Sequence, residues 1–236
     1  MKIKLTLFKN DLKQIMRDPI MSLLMFAPML MIFAIKLLEI FIYPYLQIQF
    51  DFDMMPYSVY VLSFVLLMNS GTLGIVIGFL MLDERDGNIS QLLEITPLGR
   101  SGYLFNRLSM ACLLSAMYGL ISLFVFADSI LPHFSYFYVP FLSAIYTAII
   151  GLLIFLGADD KVKGLTFAKG LNALAIFAFA DLFALQWFTS VSWFFPSYWT
   201  SMILKMPHSI IIGSIALLVN AVWLGFLVFR YSRREG

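Results

Sequence analysis

Residues 57–82 read YSVYVLSFVLLMNSGTLGIVIGFLML and contain no charged side chain. A helix of about 20 residues rises roughly 30 Å, which is the thickness of the hydrocarbon core of a bilayer. The apolar residues form a continuous run instead of alternating with polar ones, as they would in a strand of a membrane barrel. The stretch therefore predicts a helix that crosses a membrane.

Five further apolar runs of similar length flank this one. The chain has 236 residues, is 61% hydrophobic and is only 13% charged, which leaves too few charges to cover a soluble surface or to bind nucleic acid phosphates. We therefore predict an all-α membrane protein with six transmembrane helices in a single domain, preceded by an amphipathic helix at residues 1–18. The predicted spans are 20–38, 57–82, 104–127, 139–156, 170–190 and 209–229.

The Lys and Arg residues lie almost entirely on one side of this topology. Of the 16 cations, all but Lys36 and Lys205 fall in the amino-terminal leader, in every second loop or in the carboxyl tail. Cationic loops remain on the cytoplasmic side of a membrane. The pattern predicts that both termini are cytoplasmic, and that the aromatic-rich segment 191–208 is an extracytoplasmic re-entrant or interfacial segment.

The leader has the spacing of an interfacial helix. Its apolar residues recur every three or four positions, its cations fall mostly on the other face, and Pro19 ends the pattern. The apolar face consists of Leu5, Phe8, Leu12, Ile15 and Met16. Two interpretations stay open, a simple membrane anchor and a lever that ties the first span to a cytoplasmic partner.

The cytoplasmic loop at 83–100 is the most polar stretch of the chain. Ile89, Leu92 and Leu93 share one face of a short helix, which Pro97 ends. Such a short helix is not stable alone in water, so its apolar face must dock on lipid, on this protein or in a groove of another subunit.

Several motifs of the loop and its surroundings resemble one transporter family. They comprise an acidic pair leading to Gly87, a Leu-rich turn, a Thr-Pro turn, the leader end Arg17-Asp18-Pro19 and the FPSYW stretch at 195–199. The chain resembles the type-2 permeases of ATP-binding-cassette (ABC) transporters, and among them the bacterial drug-export permeases of the fluoroquinolone-exporter kind. This resemblance places the protein in the bacterial inner membrane as a multi-pass exporter subunit.

The resemblance also implies partners. A separate ATPase would bind ATP and Mg²⁺, and a second permease subunit, identical or related, would complete a dimer. The chain itself contains no G-x-x-x-x-G-K-[ST] motif, so it is not predicted to bind ATP by that route. The predicted ATPase-coupling residues are Asp83, Glu84, Gly87, Ile89, Gln91, Leu92, Leu93, Thr96 and Pro97.

Within the spans, one acid and three glycines are candidate functional residues. Asp181 is predicted near the middle of the fifth span with no cation within a turn or two along the helix, and a charge there is costly. We interpret it as a translocation or gating residue, or else as a neutral carboxyl group that hydrogen-bonds to another helix. Gly71, Gly74 and Gly78 predict close helix packing.

The sequence offers no metal or catalytic set. Cys112 lies alone in an apolar run, and His133 and His208 have no second ligand at short spacing. We therefore predict a transport subunit and not an enzyme. The alternative function is an ATP-independent membrane protein, such as a secondary carrier or a toxin-immunity protein, and an adjacent ATPase gene would favour the exporter.

Overall fold

The computed structural model describes residues 13–89, 99–127 and 131–234. Residues 13–17 are helical, and 3₁₀ helices lie at Met55–Tyr57 and Leu174–Phe183. The α-helices of the described ranges are α1 (Pro19–Phe50), α2 (Ser58–Asp86), α3 (Gly99–Phe126), α4 (Ser135–Gly157), α5 (Lys161–Ala173), α6 (Gln186–Ser192), α7 (Pro196–Lys205) and α8 (Ile210–Arg234).

Within the described residues, six helical stretches are long and apolar enough to cross a membrane, as the sequence predicts. They are Pro19–Phe50, Met55–Asp86, Gly99–Phe126, Ser135–Gly157, Lys161–Phe183 and Ile210–Arg233. An even number of spans places residues 13 and 234, the first and last that the structure describes, at the same end of the bundle, which we call the terminal end. The opposite end, where α1, the Leu174–Phe183 helix and α7 finish, is the distal end.

The centre of the bundle is the pair α2 and α4. A Cβ atom added at Gly74 would lie 2.7 Å from Cβ of Ile150, and one added at Gly78 would lie 2.8 Å from Cβ of Ile154. A Cβ at Gly71 would meet Oδ1 of Asn172, on α5, at 2.7 Å. The glycines of α2 therefore let two neighbouring helices approach its backbone more closely than any other residue would allow.

Hydroxyl groups connect the same buried region. The Thr147 hydroxyl donates to Oγ of Ser115 at 2.7 Å, and Ser115 is in turn 3.2 Å from Oγ of Ser70. Asn69, the neighbour of Ser70 on α2, donates from Nδ2 to Oγ of Ser122 on α3 at 3.1 Å. These bonds join α2, α3 and α4 where no water is available to satisfy polar groups.

The fifth span begins and ends earlier than the sequence predicts. The predicted range was 170–190, but the helix runs over Lys161–Phe183 and the chain then turns at Ala184, whose φ is +50°. The apolar run continues through this turn into α6, so hydropathy does not reveal the reversal. The helix also contains three lysines near its beginning, Lys161, Lys163 and Lys169. Because these charges lower the local hydropathy, the sequence predicts that the span starts later than it does.

The first span is longer than predicted. Instead of 20–38 it covers Pro19–Phe50, which at 1.5 Å per residue is about 48 Å of helix and longer than the hydrocarbon core. Lys36 and Glu39 therefore lie inside α1, where they form an ion pair with 2.9 Å between Nζ and Oε2.

Candidate functional site

Four consecutive charged residues, 83–86, end α2 at the terminal end, and the first three, Asp83, Glu84 and Arg85, bind other helices. Successive side chains on a helix point about 100° apart, so the three reach different neighbours. Asp83 Oδ2 lies 3.0 Å from Nζ of Lys161, the first residue of α5. Lys161 also forms an ion pair with Asp18. This shared lysine joins the ends of α1, α2 and α5.

Asp18 has a second role, because it caps α1. Its Oδ1 accepts hydrogen bonds from the backbone N–H groups of Ile20 at 2.9 Å and Met21 at 3.1 Å. The hydrogen bond from Lys161, helped by these backbone donors, outweighs partial burial and lowers the pKa of Asp18 below its usual value. The carboxylate is thus held ionised at the start of the first span.

Glu84 points into the protein. Its carboxylate binds Arg107 of α3 through two contacts, Nη2 to Oε1 at 2.5 Å and Nε to Oε2 at 2.8 Å. The Tyr103 hydroxyl donates to Oε2 at 2.8 Å. The side chains of Glu84 and Arg107 are only 2% and 4% exposed, so this is a buried bidentate pair between α2 and α3.

Arg85 binds the end of α4. Its guanidinium donates to the carbonyl oxygens of Ala158 at 2.9 Å and Asp159 at 2.5 Å, and lies 5.2 Å from the centre of the Phe155 ring. Carbonyl groups at a helix end lack partners within the helix, so a cation there is favourable. We call residues 83–85 with their partners the terminal bracket, and it connects α2 to α1, α3, α4 and α5. The partners are Asp18, Tyr103, Arg107, Phe155, Ala158, Asp159 and Lys161.

The predicted coupling residues divide into two groups. Asp83 and Glu84 belong to the terminal bracket, Gly87 donates its N–H to the Asp83 carbonyl at 3.0 Å, and Ile89 is exposed. The others, Gln91, Leu92, Leu93, Thr96 and Pro97, lie outside the described residues. In this structure the Glu84 side chain is turned away from any external partner.

Sequence reasoning missed the partners of the bracket. Arg107 and Lys161 were counted only as cytoplasmic cations, and Tyr103 was not singled out. One signal was present: Tyr103 and Arg107 are four residues apart and so share a helix face. Which acid they meet, however, depends on the packing of α3 against α2.

At the distal end, Asp181 has a cationic partner that local sequence spacing does not reveal, because the cation comes from α7. Lys205 Nζ lies 2.5 Å from Oδ2 of Asp181, and the Tyr198 hydroxyl is 3.4 Å from Oδ1. Asp181 is also two residues from the end of its helix and not near the middle of the span. The reversal at Ala184 brings α7 back against the fifth span, which pairs residues that are far apart in sequence.

The Leu174–Phe183 segment is wound as a 3₁₀ helix of ten residues. Such long 3₁₀ stretches are uncommon, and three residues per turn align every third side chain. Ala175, Ala178 and Asp181 therefore share one face, and the two alanines on it are buried. This winding directs Asp181 towards α7, where Tyr198 and Lys205 lie.

An open cleft of about 470 Å³ lies beside this ion pair, between α1, α2 and the 3₁₀ segment. We call it the aromatic cleft, because five rings line it. They belong to Phe52, Tyr57, Tyr60, Phe64 and Phe179. The Tyr60 ring also lies 4.4 Å from Nζ of Lys205, so the cleft and the ion pair share one residue.

Among the described residues, no group of three or more His, Cys, Asp or Glu side chains could hold a metal ion. What the described chain does contain is six apolar helices around a closely packed pair, with ionic clusters at both ends. These features define a multi-pass α-helical membrane protein.

Comparison with known proteins identifies the family. The family model described as "Fluoroquinolones export permease protein Rv2686c-like" matches residues 11–229, so the chain belongs to this family. It is therefore a permease, a transport protein, and the resemblance to fluoroquinolone-type export permeases is confirmed. No solved structure matches the chain.

Two relatives come from Mycobacterium tuberculosis. The Fluoroquinolones export permease proteins MT2760, from strain CDC 1551 / Oshkosh, and Rv2686c, from strain ATCC 25618 / H37Rv, are each 27% identical to this chain over 201 residues. The similarity covers 82% of this chain and 78% of each relative.

Proposed function

We propose that the chain is the membrane subunit of an ATP-driven ABC exporter. A separate ATPase subunit binds ATP and Mg²⁺ and contacts the segment around residues 83–97, and two permease subunits, identical or related, alternate access to a pathway between them. The terminal end faces the cytoplasm of a bacterium. The transported compounds are amphipathic small molecules, peptides or lipids, and fluoroquinolones, named for the relatives, are the first to test.

The terminal bracket is the observation that supports this coupling role. The segment that resembles an ATPase-docking loop begins with residues 83–85, which bind α3, α4 and α5 directly and α1 through Lys161. A displacement of the loop therefore moves the end of α2, and the buried Glu84–Arg107 pair passes it to α3. Lys161 and Arg85 pass it to α1, α5 and α4. The bracket makes the terminal end one mechanical unit.

Cysteine crosslinking tests the assignment of the loop. Cys112 is replaced by Ala to give a cysteine-free background, and Gln91→Cys is introduced in the loop. Phe134→Cys is the matched control, because Phe134 is exposed at the opposite end of the bundle. The variants are crosslinked in the native membrane with a bifunctional maleimide-amine reagent, purified, and assayed for ATP hydrolysis.

We expect a nucleotide-binding subunit to be attached through position 91 and not through position 134. We also expect vesicles containing both chains to move norfloxacin only when ATP is supplied. A folded chain that binds no ATPase through position 91 and moves the drug without ATP would overturn the proposal. It would favour an ATP-independent carrier.

The second permease subunit requires its own test. The outward face of α1 carries large exposed apolar residues, which lipid or a second copy can cover. They include Leu23, Met29, Phe33 and Phe41. We expect native mass spectrometry of the complex to show two permease chains, and a complex that holds only one would contradict the proposed dimer.

A further inference from the structure

The Lys205 ammonium group occupies a position that an organic cation could also occupy. It binds the Asp181 carboxylate and lies 4.4 Å from the centre of the Tyr60 ring. A carboxylate next to an aromatic face is a chemical arrangement that recognises ammonium groups, because the face of the ring attracts positive charge. The Tyr198 hydroxyl donates a weak hydrogen bond, at 3.4 Å, to the other oxygen of the same carboxylate.

The aromatic cleft begins at the same tyrosine. The Tyr60 and Phe179 rings stack with their centres 6.1 Å apart, and Phe64 extends this wall. The volume of about 470 Å³ falls in the range of sites for drug-sized molecules. Phe179 and Asp181 belong to one 3₁₀ segment, so a single element supplies both the aromatic wall and the anion.

Lys205 can leave the carboxylate without leaving its helix. It is the last residue of α7, its side chain is 21% exposed, and its four-carbon stem is flexible. Departure of the ammonium group would leave Asp181 with the weak contact to Tyr198, at 3.4 Å, beside an apolar cleft. A second cation would then restore the charge balance.

We propose that the aromatic cleft binds planar aromatic amines, and that the ammonium group of the ligand displaces Lys205 from Asp181. The ring system stacks against Tyr60 and Phe179 while the amine binds the carboxylate. Lys205 is thus an internal competitor for the site. The inference rests on the proposed export function for its biological meaning only, because the binding itself requires neither ATP nor a partner.

The two members of the ion pair should have opposite effects on binding. Removing Asp181 removes the anion that the amine needs, whereas removing Lys205 removes the competitor. A purely structural ion pair would instead make both substitutions equally harmful. This difference in sign distinguishes a binding site from a scaffold.

The test measures fluorescence polarisation of rhodamine 6G, a planar aromatic cation, with the purified full-length chain in detergent. We expect Lys205→Met to raise the affinity about threefold or more and Asp181→Asn to lower it about tenfold. Tyr60→Leu should also weaken binding, and the double variant Asp181→Asn/Lys205→Met should behave like Asp181→Asn. Anionic fluorescein should bind none of the variants more tightly than it binds the detergent.

Lys36→Met is the matched control, because it breaks an ion pair with Glu39 on α1 and not one at the cleft. It should bind rhodamine 6G like the parent chain. Each variant must elute as a single peak with an unchanged melting temperature, and Lys205→Arg provides a second variant if Lys205→Met does not fold. An arginine keeps the competing charge, so its affinity should stay near that of the parent.

Absence of rhodamine 6G binding to the parent chain would overturn the inference, and so would equal losses in Lys205→Met and Asp181→Asn. Neither result would affect the ATPase-coupling proposal, which is tested by crosslinking at residue 91. Conversely, failure of that crosslink would leave a measured rhodamine 6G affinity unchanged.

Discussion

The two ends of the bundle each pair an acid with a cation, but in different surroundings. At the terminal end, Glu84 and Arg107 are almost completely buried and held by a bidentate contact. At the distal end, Asp181 and Lys205 are 28% and 21% exposed and stand beside an open cleft. A buried pair resists separation because each partner would be left charged in an apolar medium, whereas a partly exposed pair can exchange partners.

This contrast suits the proposed exporter, which an ATPase would drive from one end. In that proposal the terminal end would transmit a displacement without deforming, and its bracket joins five helices. The distal end would contact the transported molecules, and its ion pair is partly exposed. The predictions below test the contrast, beginning with the largest expected effect.

Removing the buried acid should be the most damaging change. Glu84→Ala removes the carboxylate that the buried Arg107 guanidinium binds, which costs about 3–5 kcal/mol of stability. We expect a large fall in the melting temperature in detergent. The double variant Glu84→Met/Arg107→Met, which removes both charges and keeps the volume, should recover much of this loss. If Glu84→Ala were as stable as the parent chain, the buried pair would not hold the terminal end rigid.

Rigidity should extend along α2 through its glycines. Gly74→Ala places a methyl group against Ile150 and the Thr147 carbonyl, so we expect a loss of about 1–3 kcal/mol from overpacking. Gly225→Ala on α8 is the control, because nothing lies within 4 Å of an added Cβ there. It should be neutral or slightly stabilising, since Ala favours helix. If Gly74→Ala and the parent chain had equal melting temperatures, the result would argue against close packing of α2 and α4.

At the distal end, Asp181→Asn should affect transport more than stability. A charge-assisted hydrogen bond contributes about 1.5–3 kcal/mol, so loss of the carboxylate should slow ATP-driven uptake of norfloxacin into inverted vesicles about tenfold. Expression and melting temperature should change little, because the pair is partly exposed. Full transport activity in this variant would exclude an essential charge at Asp181.

The smallest effect concerns pH. The folded-state pKa of Asp18 is lowered, chiefly by the hydrogen bond from Lys161, so its ionisation stabilises the fold above the unfolded pKa of about 4. That contribution disappears as the pH falls through the lower folded-state pKa. We expect melting temperatures measured between about pH 6 and pH 3 to fall less for Asp18→Asn than for the parent. The corresponding difference in the free energy of unfolding should be about 1 kcal/mol or less, since the pair is only partly buried.

Identical pH profiles for the parent and Asp18→Asn would show that the bond between Asp18 and Lys161 does not affect stability. Asp53→Asn is a suitable control. Asp53 is exposed and accepts only a local hydrogen bond from the backbone of Met55, so its profile should follow that of the parent.

The sequence by itself determined the class of fold. Apolar runs the length of a bilayer can bury their backbone polar groups only as helices, so six spans follow from composition and spacing alone. The loop motifs also predicted the permease family. Glycines at four-residue spacing indicated that α2 has a close neighbour, because only a small residue leaves room for another backbone.

Only the tertiary structure decided which residues meet. Hydropathy carries no signal for the reversal at Ala184, because the apolar run continues through it, so the predicted bounds of the fifth span and the predicted position of Asp181 within it were wrong. The partners of Asp181 and Glu84 lie 24 and 23 residues away, on other helices. Pairing over such distances depends on how the helices turn and pack, and neither local spacing nor composition contains that information.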